Sequence, residues 1–352
     1  MARHTYVLAA ALLSACTLQR AQPGSAEQHL ASAAVDDHSA HMQASDLAAP
    51  SSVPRMLQDR PGLPPSNNGA AARVKASPRH AEWVKVAWEP GSADSLMAWV
   101  VYPASKNSRE RAPVVVVVHE IFGLSTWVRG VADQVAADGF IAVAPDMLSR
   151  VRGGPSSVEL SGDTARRLIA GVNAAERNRA IVAAANYAMM QPSAQPKYAV
   201  IGYCWGGQTV FMHAVHGGVQ GYSGGVAFYG ISYLRAGTPA TATAAATSSS
   251  VDSDSLARIS KPLMLLNGSK DARIAAAMPA LDSVMKALKK NYSQTNYEGA
   301  IHGFLRAQDD PRAPRAGEEV VRDPAEEAAN LAATRDAWPR TITFLRKNLG
   351  VK

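Results

Sequence analysis

The sequence is poor in cysteine, with only two among its 352 residues. Two thiols cannot build the disulfide framework of a small secreted protein or a four-thiolate zinc or iron–sulfur site. Charged residues are also sparse at 18%, and the 36 lysines and arginines exceed the 29 aspartates and glutamates by seven. These basic residues form no cluster interleaved with aromatics, so the sequence predicts no nucleic-acid partner. It predicts no metal and no cofactor either.

Long apolar runs are absent as well, and a short one lies at the amino terminus. Val7 to Leu13 is an apolar stretch of seven residues behind Arg3. It is far shorter than the roughly 20 residues that span a bilayer, and it is typical of a secretory signal. The Leu13-Ser14-Ala15-Cys16 word that follows resembles the lipobox of bacterial lipoproteins. We therefore predict a signal peptide over residues 1–15.

Export follows from this leader, but the fate of Cys16 has two interpretations. If the lipobox is used, Cys16 is lipidated and tethers a mature lipoprotein to the membrane. If an ordinary signal peptidase cuts nearby, Cys16 is incidental and the product is periplasmic. We favour lipidation because the small residues directly precede the cysteine at the end of the apolar stretch. The lipid is then the protein's sole predicted contact with a membrane.

The stretch that follows the leader is rich in Ala, Ser, Pro and Gln and has no sustained hydrophobic period. Such a composition buries too little apolar surface to offset the entropy of the chain. We predict a disordered tether over residues 16–79 and one catalytic domain over residues 80–352. Two segments of this domain, 236–255 and 307–323, are predicted to be surface insertions.

Strand-like and helix-like segments alternate through the domain. Val114 to Val118 is a run of five valines, which predicts a strand buried on both faces of a sheet. Strands alternating with helices predict an α/β fold, with a mostly parallel central sheet covered by helices on both faces. Four helices are predicted over Thr126–Asp138, Ala174–Met190, Gly207–Val215 and Ala275–Lys289, and a fifth ends the chain.

The most informative motif is Gly202-Tyr203-Cys204-Trp205-Gly206-Gly207, which follows a predicted strand and begins a predicted helix. Glycines two residues either side of a nucleophile allow the sharp, strained turn that lifts its side chain clear of the sheet. This is the nucleophile elbow of an α/β-hydrolase, with Cys204 in place of the more common serine. The alternative is a small buried cysteine on a tight turn.

Two further polar residues follow Cys204 in the order expected of that fold. Asp271 ends a loop after a predicted strand, and His302 lies in the loop after the last strand. Nucleophile, acid and base occur in this order in α/β-hydrolases. His302 would take the proton of the Cys204 thiol, and Asp271 would hold the imidazole in one tautomer. Taken singly, Asp271 could be a loop cap and His302 a core histidine.

The loop after the five valines is predicted to contribute to an oxyanion hole. In this fold, that loop donates one backbone N–H to an oxyanion hole, and the residue after the nucleophile donates the other. The backbone amides of Ile121 and Trp205 hold these two positions.

Together these motifs resemble those of the dienelactone hydrolase family. The resemblance covers about residues 80 to 350 and is carried by His119-Glu120-Ile121-Phe122-Gly123, Ala144-Pro145-Asp146-Met147-Leu148, the Cys204 word, the Asp271 loop and His302-Gly303-Phe304. It implies hydrolysis of a lactone by a Cys204, His302 and Asp271 triad without a metal. The chain differs from the cytoplasmic members of that family in its leader, its tether and its 236–255 insertion.

The resemblance also assigns roles to four side chains. Glu120 would partner the resting thiol and release it when substrate binds; the less favoured alternative is a buried acid paired with an arginine. Arg150 and Arg306 would hold a substrate carboxylate, which suits their planar forks, unless they are merely solvated. Tyr229 matches a pocket tyrosine of the family, although a core tyrosine explains it nearly as well.

The sequence therefore predicts a hydrolase of carboxylic esters or lactones that works through a thioester on Cys204. Its partner is a small ester or lactone, anionic if the two arginines act as implied, and we expect a monomer. The alternative is an exported α/β-hydrolase scaffold that serves as a surface-anchored binding protein without catalysis.

Overall fold

A computed structural model describes most of the chain beyond the leader. It covers residues 60–104, 111–156, 162–218, 220–235, 250–308 and 323–351. The predicted signal peptide, Cys16, the tether up to residue 59 and most of both insertions lie outside the described residues. Among the described residues, none of the helices is both long and apolar enough to cross a membrane.

Strands and helices alternate along the described chain. The strands are β1 (Ala81–Ala87), β2 (Ser95–Val101), β3 (Ala112–Val118), β4 (Ile141–Asp146), β5 (Ala194–Tyr203), β6 (Tyr222–Phe228), β7 (Leu234–Arg235), β8 (Ser250–Val251), β9 (Leu263–Gly268) and β10 (Tyr292–Tyr297). The helices are α1 (Ala70–Ala76), α2 (Thr126–Ala137), α3 (Ser149–Arg152), α4 (Gly162–Ala170), α5 (Ala174–Met189), α6 (Trp205–His216), α7 (Ser253–Leu256), α8 (Ala272–Ala287) and α9 (Pro324–Leu349).

Eight strands form one sheet in the order β1-β2-β4-β3-β5-β6-β9-β10. β2 pairs antiparallel with both β1 and β4, and the pairs from β4 to β10 are parallel. From β3 the chain moves first to β4 on one side and later through β5 and β6 to the other. Right-handed crossovers in opposite directions place their helices on opposite faces. The prediction of a mostly parallel α/β sheet is confirmed.

This reversal of strand order also locates the site. In open parallel sheets, ligands bind beyond the carboxyl ends of the strands where the order reverses. Here the reversal lies between β3 and β5, whose ends pair Val118 with Gly202. The five valines of β3 are fully buried, as expected of a central strand. The residues directly after β3 and β5 are therefore held next to each other by a rigid core.

The segment before β1 is folded, which differs from the predicted tether up to residue 79. The Pro65 carbonyl accepts a hydrogen bond of 3.0 Å from Trp127 Nε1, and the Pro64 carbonyl accepts one of 2.9 Å from Gln308 Nε2. Asn67 donates its backbone N–H to the Arg306 carbonyl at 2.9 Å. Composition misled here because the order comes from partners that are distant in sequence.

The same segment is joined to α2 by a bidentate ion pair. Arg79 Nε lies 2.8 Å from Asp133 Oδ1, and its terminal nitrogen lies 2.6 Å from Oδ2. The hydrogen bond to Asp133 raises the pKa of Arg79. The carboxylate side chain is only 4% exposed, so it depends on this partner.

Replacing Arg79 by methionine is expected to lower the free energy of unfolding by about 3 kcal/mol, because it leaves the Asp133 carboxylate buried without its cation. Urea titration measures the loss. The Arg79→Met, Asp133→Leu double variant removes both charges and should recover most of it. If the single variant is as stable as the parent, the pair does not anchor this segment.

A second buried polar group ties α6 to β5. His213 Nε2 lies 2.9 Å from the Tyr198 hydroxyl, and Nδ1 lies 2.7 Å from Asn178 Oδ1. Burial lowers the pKa of His213 from 6.5 to about 3. The unfolded chain thus binds this proton more readily than the folded one. The contribution of His213 to stability is complete above about pH 6.5 and declines as the pH falls towards 3.

We therefore expect acid to destabilise the fold through His213 by roughly 4 kcal/mol between pH 6.5 and pH 3. Urea titrations at several pH values should show a shallower decline for His213→Gln than for the parent. His216→Gln on the same helix is the matched control; it removes only the smaller effect of His216 on the pKa of His213, so most of the slope of the parent should remain. Equal slopes for all three proteins would contradict the assignment.

Candidate active site

Cys204 lies on a strained turn between β5 and α6. Its backbone angles are φ 55° and ψ −116°, in a region that costs a non-glycine residue about 1–3 kcal/mol. A Cβ on Gly202 would lie 2.2 Å from the Gly206 carbonyl oxygen, and one on Gly206 would lie 2.4 Å from that of Val118. Only glycine fits these two positions, so the spacing read in the sequence is a steric requirement of the turn.

The acid and base come from the ends of the two strands on the far side of the sheet. Asp271 follows β9 and caps α8, where Oδ1 accepts a 3.4 Å hydrogen bond from the Ile274 N–H. Its other oxygen, Oδ2, lies 2.6 Å from His302 Nδ1, in the loop after β10. The carboxylate is thus fixed by the helix and orients the imidazole, which leaves Nε2 for the thiol.

Charge around His302 favours the imidazolium. Burial alone would lower its pKa, but the negative charges of Cys204 and Asp271, with their hydrogen bonds to the ring, raise it well above the ordinary value. Burial opposes ionisation of Asp271 too, yet the charge of His302 holds its pKa below the usual value.

Two backbone amides lie at the loop ends beside the nucleophile turn, where an oxyanion hole is predicted. Trp205 is the first residue of α6, where backbone N–H groups have no partner within the helix and the helix dipole favours negative charge. Ile121 follows the end of β3, the strand that pairs with β5. These are the two amides predicted from the sequence, and the paired ends of β3 and β5 bring them to the same edge of the sheet.

Glu120 lies on the same loop and is buried, at 3% exposure. Its Oε2 atom is 3.7 Å from Arg306 Nε. Burial raises the pKa of the Tyr203 and Tyr229 hydroxyls, and the Glu120 carboxylate raises both further. The structure thus pairs the acid with an arginine and places it among active-site groups. A role with the resting thiol stays a prediction.

Tyr229 and Arg306 also border the triad. The Tyr229 ring centroid lies 5.0 Å from that of His302, and its backbone has φ 39°. The guanidinium of Arg306 lies 5.5 Å from the centre of the Phe122 ring. A contact of either residue with a substrate stays a prediction.

Arg150 is engaged elsewhere. Its terminal nitrogens lie 2.5 Å from Asp94 Oδ2 and 3.5 Å from Glu176 Oε1. The guanidinium also lies 4.1 Å from the centre of the Trp88 ring. A substrate carboxylate would have to displace two acids from this group, so the structure pairs Arg306 with Glu120 but gives Arg150 two acidic partners.

His119 is a site residue whose role the sequence analysis missed. Its Nδ1 donates a 2.5 Å hydrogen bond to the Glu120 carbonyl, and Nε2 accepts one of 3.1 Å from the Met147 N–H. Burial lowers the pKa of His119, so the ring is neutral. It ties the loop after β3 to the loop after β4. A sequence signal for this contact was present, because His119 and Met147 both lie within motifs that carried the family resemblance.

Within the described ranges, no three His, Cys, Asp or Glu side chains are grouped so that they could hold a metal ion. The arrangement consists of a thiol, a base oriented by an acid, and two amides at the carboxyl ends of neighbouring strands. It suits attack of sulfur on a carbonyl carbon followed by stabilisation of an oxyanion.

Comparison with known proteins points the same way. A protein of Synechocystis sp. is 31% identical over 247 residues, which are 67% of this chain and 87% of that protein. A shorter match of 155 residues in an Escherichia coli protein is 26% identical and covers 44% of this chain and 56% of that one. Both relatives are assigned to the carboxymethylenebutenolidases.

A solved structure from Klebsiella pneumoniae, assigned to the dienelactone hydrolases, superposes with a TM-score of 0.54 at 20% identity. It covers 76% of this chain and 99% of its own. At that identity the likeness concerns the fold alone, which is the α/β-hydrolase fold. The model of the dienelactone hydrolase family matches residues 97–349. The chain therefore belongs to the dienelactone hydrolase family, whose members are hydrolases of ester and lactone bonds.

Proposed function

We propose that this protein hydrolyses carboxylic esters or lactones through a thioester on Cys204. The observation that carries the proposal is the strained turn at Cys204 together with the 2.6 Å contact between His302 and Asp271. Strain of this kind is retained where the surrounding structure holds it for a purpose. An imidazole oriented by a buried acid is the partner that such a thiol needs.

In the first half of the reaction, the Cys204 sulfur attacks the carbonyl carbon and the carbonyl electron pair moves onto oxygen. The amides of Ile121 and Trp205 would stabilise that oxyanion. As the carbonyl re-forms, the bond to the ester oxygen breaks and the His302 imidazolium protonates the departing alkoxide. In a lactone, the released alcohol stays attached to the acyl group.

In the second half, His302 removes a proton from water and the hydroxide attacks the thioester carbon. The bond between carbon and sulfur then breaks, which releases the carboxylic acid and returns the Cys204 and His302 ion pair. Asp271 keeps the imidazole in one tautomer throughout, so the same nitrogen serves both halves of the cycle.

An anionic substrate suits the surroundings of the triad. A carboxylate on the substrate could replace Glu120 at the Arg306 guanidinium, since Arg306 and Glu120 now face each other at 3.7 Å. The displaced Glu120 would be free to act on the thiol. Arg150 would join only if Asp94 and Glu176 released it.

The setting is part of the proposal. We infer an exported monomer, either periplasmic or anchored through lipid on Cys16, that meets small esters or lactones outside the cytoplasm. The alternative of a non-catalytic binding scaffold is not favoured. A scaffold without catalysis does not need the orientation of His302 by Asp271 or a cysteine held at positive φ.

The test is to trap the acyl-enzyme in the full chain with Cys16→Ser, which leaves Cys204 as the single cysteine. The protein is mixed under reducing conditions with aryl esters and with dienelactone, quenched in acid and mapped by peptide mass spectrometry. We expect the acyl mass on the Cys204 peptide, and turnover that stops after one equivalent of iodoacetamide. Turnover that survives complete alkylation would exclude the thiol mechanism. A preference for dienelactone over neutral esters would support the carboxylate site.

A further inference from the structure

A buried cation lies behind the nucleophile turn. Arg177, on α5, is only 3% exposed. Its guanidinium carbon lies 4.1 Å from the centre of the Trp205 ring, the residue next to Cys204. Burial lowers the pKa of Arg177 to about 9, so the group still carries its charge at neutral pH.

This cation has no acidic partner within the described part of the chain. Its Nε donates a 3.1 Å hydrogen bond to the Val172 carbonyl, and a terminal nitrogen lies 3.7 Å from the Met212 sulfur. Both are neutral acceptors. A buried charge is expensive unless something of opposite sign offsets it. The Val172 carbonyl and the ring face of Trp205 supply part of that compensation, and the charge lies behind the turn that carries Cys204.

Within the described residues, the indole makes stacking contacts but no hydrogen bond. Trp205 is 1% exposed, and its Nε1 has no hydrogen-bond partner among the described residues. The His119 imidazole stacks on it, with ring centroids 5.6 Å apart and planes 7° from parallel. Because no hydrogen bond fixes the indole, the two stacking groups set its orientation. Its backbone amide is one of the two assigned to the oxyanion.

We propose that Arg177 is a positioning residue for the nucleophile. It holds the Trp205 indole and adds positive potential behind the turn, which stabilises the Cys204 thiolate and the oxyanion that forms beside it. Charges act over longer distances in a dry interior than in water, so a cation one ring away still contributes. The inference rests on the proposed function, since it assumes that Cys204 is the nucleophile.

The readout is the pH midpoint of Cys204 alkylation by iodoacetamide in the Cys16→Ser protein, because only the thiolate reacts. The other titratable or charged groups around the thiol are His119, Glu120, Tyr203, Tyr229, Asp271, His302 and Arg306. All of these stay in place in every variant. We expect Arg177→Met to raise the midpoint by about one pH unit, which is tenfold less thiolate below the midpoint.

Arg177→Lys keeps the charge and should hold the midpoint near that of the parent, although it loses the planar stacking on the indole. Arg79→Met is the matched control, since it also removes a charged arginine side chain but lies in the segment before β1. We expect it to lower stability without moving the midpoint. For Arg177→Met, kcat on an aryl ester should fall about tenfold with little change in KM, as for a loss confined to the transition state.

A second pair of variants leaves the arginine in place. Met212→Glu sets a carboxylate where the sulfur now contacts Arg177, and so neutralises the cation without removing it. Met212→Gln is the neutral control of the same shape. We expect the midpoint to rise for the glutamate variant and to stay constant for the glutamine variant. This pair decides the matter even if Arg177→Met does not fold.

An unchanged midpoint in Met212→Glu, or in a folded Arg177→Met, would overturn the proposal and leave Arg177 as a packing residue. The assay needs no turnover, so it can fail while the thioester mechanism holds. Conversely, full esterase activity in a protein without the Cys204 thiol would refute the proposed function whatever the midpoint shows.

Discussion

Replacement of Cys204 by alanine is expected to lower kcat/KM on an activated aryl ester by a factor on the order of 10⁵. The loss is this large because, in the part of the chain that the structure describes, no second nucleophile is positioned for the attack. The other cysteine, Cys16, precedes the domain. Turnover that remains would come from binding and from the Ile121 and Trp205 amides acting on a water molecule.

The serine variant separates the nucleophile from the turn. Cys204→Ser keeps a side chain of similar shape at the strained position and offers a hydroxyl, which has to lose its proton during attack. It should be nearly as inactive as the alanine variant unless His302 can serve as an efficient base for oxygen. Steady-state kinetics on both variants, with circular dichroism to confirm folding, provide the measurement. Activity of Cys204→Ala equal to that of the parent would remove the basis of the thioester mechanism.

Much of the fold was predictable because its signals are local. The run Val114 to Val118 predicts a strand covered on both faces, and all five side chains are buried in the structure. The predicted helix Thr126–Asp138 agrees with the observed α2 to within one residue. The strand before the elbow, which the apolar pattern predicts only over Tyr198–Ile201, runs from Ala194 to Tyr203. Its first four residues include Gln195, Pro196 and Lys197 and lie at the end of the strand, where periodicity carries little information.

The segment before β1 shows what composition cannot reveal. Residues 60–79 read as a tether because they have few apolar side chains, yet Asn67 and Pro64 bond to the loop that follows His302. Such contacts join residues more than 200 positions apart, and no local pattern encodes them. Helix α4 was not predicted either, although Ala165, Leu168 and Ile169 fall at helical spacing, because nine residues give little more than two turns of pattern.

The site residues also separate into those with a local sequence signal and those whose partners are distant in sequence. Cys204 was identifiable because its glycines are required by atoms of its own turn and of the adjacent strand. The ion pair of Glu120 with Arg306 and the stacking of Arg177 on Trp205 were not, since each joins elements whose relative placement depends on the whole sheet. Arg150 was predicted to bind a substrate carboxylate because it follows the Ala144–Leu148 motif of the family. In the structure it pairs with Asp94 and Glu176, which come from separate parts of the fold.

The second large effect is expected for Asp271→Asn, which should lower kcat by about 10⁴. The carboxylate accepts a hydrogen bond from His302 Nδ1, so Nε2 is free to exchange protons with the thiol. An asparagine can donate its amide to Nδ1 and so stabilise the wrong tautomer. It also lacks the charge that helps to raise the pKa of His302. The imidazolium should therefore lose its proton at lower pH in the variant than in the parent.

Stability distinguishes this effect from damage to the fold. Asp271 is the N-cap of α8, and asparagine caps a helix about as well as aspartate. Asp271→Asn should therefore unfold near the urea midpoint of the parent, whereas Asp271→Ala should lose about 1 kcal/mol in addition to its activity. Asp252→Asn, at the N-cap of α7, repeats the same exchange on another helix and should keep full activity. The pH dependence of kcat/KM supplies the last reading, because the ionisation of His302 should move to lower pH only when the carboxylate beside it is lost. A profile that Asp271→Asn leaves unchanged would mean that the acid orients nothing, and that the base acts without it.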